Sequence, residues 1–206
     1  MEIYARELIT ALRRQEPELR LTAFINRELA AVDPPWLREV EKVLVPVHAT
    51  NRLGWVWGEQ FLLPALAHQA RVEIVHSLSS TSPARGPFRR VVSILDLHYK
   101  LFPETHAGFR SYGMKVLVPL AARSAHRIIA ISQNTADDVI RLLCVREEKI
   151  DVIPLGFGAT NTVAPLPEEE TRTLFSLGTR PLLLTMAAKR PHKNLCRLLD
   201  ALAGLT

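Results

Sequence analysis

The chain has 206 residues, of which 48% are hydrophobic and 23% charged, enough for one well-packed α/β domain with some chain left over and too apolar for a disordered segment. Its apolar runs, such as 61–67 and 116–122, are too short to span a bilayer, and the start at Met1 lacks the basic-then-apolar pattern of a signal peptide. The net charge is +5, and residues 81–130 alone hold eight Lys or Arg against two acids, a local field that favours anionic partners such as nucleotide phosphates, lipid phosphates or an acidic membrane face. Nucleic acid is disfavoured as a partner, because three tyrosines and no aromatic-basic interleaving make a poor reader.

Along the chain, strand and helix patterns alternate. Tyr4, Leu8, Ala11 and Leu12 mark a helix over 1–14. Strands are predicted at 21–25 and 42–47, a helix at 55–70, and strands at 72–76 and 91–95. A helix at 108–124, a strand at 127–131, a helix at 134–143 and a strand at 149–153 follow. Ser132 suits the cap of the helix at 134–143, and Asp137 and Asp138 favour its positive end. Such alternation implies a doubly wound parallel sheet. The sheet is expected to lack its first strand, since the pattern opens on a helix.

Residues 159–180 carry Pro165, Pro167 and Glu168-Glu-Glu170 and read as a linker with one short helix. A strand at 181–187 and a helix at 193–203 then open a second α/β unit. The predicted division is 1–158, 159–180 and 181–206. Cys144 and Cys196 each sit in an apolar helical pattern and are expected to be reduced core thiols of a cytosolic protein. No histidine spacing suggests a metal site.

Three segments, in this order and spacing, resemble one family. They are Val91-Val-Ser-Ile-Leu-Asp-Leu-His-Tyr-Lys-Leu-Phe-Pro-Glu104, then Ala125-His-Arg-Ile-Ile-Ala-Ile-Ser-Gln-Asn-Thr-Ala-Asp-Asp-Val139 followed by Glu148-Lys-Ile-Asp-Val-Ile-Pro-Leu-Gly156, and Arg190-Pro-His-Lys-Asn-Leu195 with Leu198-Leu-Asp-Ala201. The chain resembles the retaining, nucleotide-sugar-dependent glycosyltransferases of family 4, which have the two-Rossmann GT-B fold. The resemblance implies an acceptor-side domain joined to the start of a donor-binding domain, a fragment trimmed at both ends. It implies transfer of a hexose, for instance mannose, from a nucleotide-diphosphate sugar to a glycan or lipid-linked glycan. It also implies that no metal or other cofactor is needed and that the chain alone is inactive. The other readings are a non-catalytic subunit or remnant of a split enzyme, and a nucleotide-sugar epimerase of the same fold.

The residues carry this chemistry as follows. Lys193 stands at the start of the final helix, where backbone amides and one ammonium both favour a diphosphate; a solvated lysine is the alternative. The resemblance places a donor contact at Lys193; the arginine that relatives carry near position 187 is Ala187 here, and Arg190 is a candidate substitute. Asp96 ends a strand, where ligands of open α/β sheets bind, and either orients an acceptor hydroxyl or caps the next turn. Relatives carry His at position 95; Leu95 stands here, and His98 is a weak substitute. Ser132 is a cap that could also touch the donor, and His76 reads as a satisfied core histidine. The basic helix at 108–124 either covers the sheet or docks on the inner face of a membrane as a peripheral contact.

Overall fold

The computed structural model describes residues 2–38, 40–103, 109–156, 164–187 and 193–204. It divides into two units, Met1–Gly158 and Ala159–Thr206.

The first unit is a Rossmann-like α/β arrangement. Helix α1 (Glu2–Gln15) leads to strand β1 (Thr22–Ile25), helix α2 (Arg27–Val32) and strand β2 (Glu41–Leu44). Next comes a continuous helical stretch, α3 (Arg52–Trp57), a π turn (Gly58–Leu62) and α4 (Leu63–Gln69). Strands β3 (Ile74–Ser77) and β4 (Arg89–Ile94) follow, then a short helix α5 (His98–Leu101) and helix α6 (Phe109–Ser124). Strand β5 (Arg127–Ala130), helix α7 (Gln133–Leu143) and strand β6 (Ile150–Val152) complete the unit.

All ladders are parallel, as alternating strands and helices require. They form two sheets where one was expected: β1 with β2, and β3, β4, β5, β6 in sequence order. No ladder joins the two sheets among the described residues. Phe24 of β1 bridges the division by packing on Ala67, Val75 and Phe88.

Strand β4 owes its central place to Val91, Val92 and Ile94, whose branched side chains suit a pleated, two-sided burial. Val92, Ile94 and Ile128 are fully buried against Val118 and Ala122 of α6 and Val139 and Leu143 of α7. Each such side chain contributes about 1.5–3 kcal/mol of burial free energy. Helix α6 therefore covers the sheet, with Val116 and Leu120 left exposed on its other side.

Two expectations are corrected. Cys144 and Cys196 are exposed, not core. Cys144 occupies the left-handed position (φ 55°) that ends α7, so its side chain leaves the apolar stripe that its spacing suggests. In the second unit, helices α8 (Glu168–Leu174) and α9 (Leu195–Ala203) form, but 181–187 is not a strand among the described residues. An apolar run is a strand only where a ladder partner satisfies its backbone, and no other described segment of that unit is a strand. Its side chains stay exposed, Leu184 at 76% and Met186 at 92%.

Candidate functional site

The carboxyl ends of β3, β4 and β5 lie side by side, with Ser77 paired to Val92 and Ile94 paired to Ala130. The loops leaving them form one edge, the place where open parallel sheets hold ligands.

After β4 the chain passes through Leu95, Asp96 and Leu97. Leu97 is buried and anchors the turn, while Asp96 is exposed at the edge. The His98 backbone N–H donates to Asp96 Oδ1 at 3.1 Å, so the carboxylate braces the turn into α5 and keeps its other oxygen at the surface. The His98 ring is half-buried and stands edge-on to Phe102, centroids 5.3 Å apart.

After β5, Ser132 caps α7: its Oγ accepts from the Thr135 backbone N–H at 3.2 Å. The Thr135 hydroxyl lies 3.1 Å from Ser132 Oγ and donates to the Leu95 carbonyl at 3.4 Å. Thr135, which the sequence did not single out, thus stitches the amino end of α7 to the loop that carries Asp96. The structure brings Asp96, His98 and Ser132 to one edge. Buried strands hold the loops, a cap is directed at their junction, and Asp96 offers an exposed carboxylate.

His76 lies in β3 with its Nε2 2.9 Å from Ser93 Oγ, and Tyr4 OH is 2.9 Å from the same oxygen. Ser93 is fully buried, so one hydroxyl ties α1 to β3 and β4. Burial holds the His76 imidazole below its ordinary range, as befits a satisfied core histidine.

A second polar group on this edge went unread in the sequence. The π turn presents Glu59 and Gln60 to the loop after β3. Thr81 Oγ1 donates to Glu59 Oε1 at 2.7 Å. Gln60 donates from Nε2 to the Ser82 carbonyl at 3.0 Å and accepts from the Ala84 N–H at 3.0 Å. Burial pushes the Glu59 carboxyl up, against the lowering effect of the Thr81 and Gln60 hydrogen bonds. The Ser82 hydroxyl is buried without a partner. The available signal was a lone Glu-Gln pair inside an apolar run, 55–67.

Lys193 belongs to the second unit, where it is exposed. It precedes Asn194, the left-handed residue (φ 51°) at the start of α9, and so lies just outside the first turn rather than in it. Arg190 lies outside the described residues. Among the described residues no His, Cys, Asp and Glu side chains gather as a metal-ion set. No described helix is long and apolar enough to cross a membrane.

Parallel sheets, covering helices and a polar carboxyl edge define a Rossmann-like α/β domain. Residues 1–158 match the family described as Glycosyltransferase Family 4, and the chain belongs to that family. Among solved structures, it is similar to a glycosyltransferase from Rickettsia africae ESF-5, with 13% identity and a TM-score of 0.46, over 85% of this chain and 46% of that one. The chain thus spans about half the length of that protein. No curated protein matches the sequence significantly.

Proposed function

We propose that this chain is the acceptor-side lobe of a retaining glycosyltransferase, with the opening of its donor-binding lobe. In this reading a hexose, for instance mannose, passes from a nucleotide-diphosphate sugar to a hydroxyl of a glycan or lipid-linked glycan. Asp96 accepts a hydrogen bond from the acceptor hydroxyl through its exposed oxygen and orients it. His98, on the same turn, flanks the sugar, and Ser132 offers its hydroxyl at the neighbouring helix end. Lys193 and Arg190 supply positive charge to the leaving diphosphate, which needs charge stabilisation as the glycosidic bond breaks. No metal is required for this scheme, because ammonium, guanidinium and backbone amides perform the neutralisation.

One observation carries the reading. The turn holding Asp96 is tied through Thr135 to the Ser132 cap, so a carboxylate and a hydroxyl share a rigid rim at adjacent strand ends. Catalytic positioning demands such rigidity.

Equilibrium binding to a panel of free and lipid-linked glycans tests it. Asp96→Asn keeps the oxygen that accepts from His98 N–H and replaces the exposed acceptor oxygen with an uncharged amide donor. The chain should bind an acceptor glycan, and Asp96→Asn should weaken that binding about tenfold. Turnover with any nucleotide sugar should be absent or very low. An empty panel, or equal binding by the variant, contradicts the proposal.

A further inference from the structure

The other end of the same sheet is also polar, and the chemistry above makes no use of it. The amino ends of β3, β4 and β5 are marked by Ile74, Arg89 and Arg127, and Lys149 immediately precedes β6. Two open clefts of about 480 and 500 Å³ lie here and share Arg89 and His126 in their linings. They account for part of the basic excess in 81–130, which no acceptor role explains.

The cations of this edge differ in availability. Arg127 pairs with Asp151, and Arg146 with Glu148 at 3.2 Å, so both are largely compensated. Arg90 is held by carbonyls, donating from Nε to Ser124 O at 3.0 Å and from Nη1 to Gly86 O at 3.4 Å. That fixes its guanidinium and leaves further N–H groups. Lys149 donates to the carbonyls of Arg123 and Ala125 at 3.1 and 3.0 Å, which leaves one of its hydrogens. Arg89 is exposed and, among the described residues, has no partner.

His126 completes the set. Its Nδ1 accepts the Arg90 backbone N–H at 3.0 Å, which places the ring hydrogen on Nε2 as a donor. Desolvation, then Arg90, Arg89 and Lys149, hold the imidazole below its ordinary range, so the ring reports the positive potential of the edge. The acid lining the clefts is Glu73, in the first of them; the second has no carboxylate in its lining.

We propose that this amino-terminal edge is a second anion site that takes a phosphate group, supplied either by free pyrophosphate or by a phospholipid headgroup. Arg89, Lys149, the fixed Arg90 and the His126 Nε2–H are its donors. The site lies at the opposite end of the strands from the Asp96 rim, about 20 Å away along six-residue β4 at about 3.3 Å per residue. Pre-positioned donors that outnumber the one lining carboxylate, Glu73, bind phosphate because little side-chain ordering remains to be done.

NMR of the histidine ring protons in the full chain tests this, with His126 assigned through His126→Gln. Pyrophosphate should move the His126 signal saturably. Arg89→Glu should weaken that response about tenfold, while Arg52→Glu, the same charge change elsewhere, should not. Glu73→Gln should strengthen it. Flotation with vesicles of neutral phosphatidylcholine, with and without phosphatidylglycerol, separates the sources. Binding only to acidic vesicles, lost in Arg89→Glu, assigns the phosphate to lipid; a pyrophosphate response without flotation assigns it to a free anion. The proposal is overturned if neither probe engages the edge, or if Arg52→Glu weakens binding as much as Arg89→Glu.

Discussion

Tyr99 is 3% exposed, and its hydroxyl has no partner, so burial raises its pKa to about 12. An orphaned buried hydroxyl costs more than its removal. Tyr99→Phe should therefore stabilise the chain by about 1 kcal/mol, measured by urea unfolding; a loss of similar size would show that the hydroxyl has a partner. Glu59 gives a pH signature. Its carboxyl is raised in the folded chain above its ordinary 4.5, so between those two values the folded state holds the extra proton. Stability from this group is present below 4.5 and is lost as pH rises through the raised folded value. The urea midpoint should fall across that window, and Glu59→Gln, which keeps an acceptor for Thr81, should flatten the fall. A variant curve parallel to the wild type would contradict this. His76 acts at the opposite limb: its lowered value means stability is lost as pH falls from 6.5 through the folded value.

Elements were legible where local chemistry decides them. Ser132, followed by a helical pattern with acids in its first half, announces the start of α7, and the cap forms there. Ser132→Ala should cost about 1 kcal/mol by thermal or urea unfolding, the usual penalty for a lost cap. Strands β4 and β5, rich in Val and Ile, were legible for the same reason, and Asp96 and Ser132 fall at one edge because both follow the ends of such strands. The π turn was not legible. Periodicity across 55–70 reads as one helix, whereas Gly58 admits the extra residue by close approach: a Cβ there would stand 2.5 Å from Val47 Cγ1. Gly58→Ala should destabilise by about 1–3 kcal/mol through overpacking. It should also release the Glu59–Thr81 link, seen as faster amide exchange at 81–84. Unchanged exchange would separate the turn from the loop. Thr135 and Glu59 escaped notice because their partners are distant in sequence, and only the fold brings them together.

At the scale of the whole chain, the described residues of the first unit form three apolar clusters, while no described residue of the second unit is buried. The triplet Leu182-Leu-Leu184 reads as a strand in sequence, but strand identity depends on a partner ladder, which composition cannot reveal. Brief thermolysin treatment should cut first within 174–187, where Leu174, Phe175 and Leu182 to Leu184 are exposed, and spare the first unit. Equal cutting in both units would show that the first unit's core is weaker than its packing implies.

Amide hydrogen exchange with and without a bound glycan measures directly where an acceptor touches the first unit. Slowed exchange confined to 95–101 and 132–135 is the predicted result. Slowing confined to the opposite edge, near 89–90 and 126–127, or none at all, would contradict it.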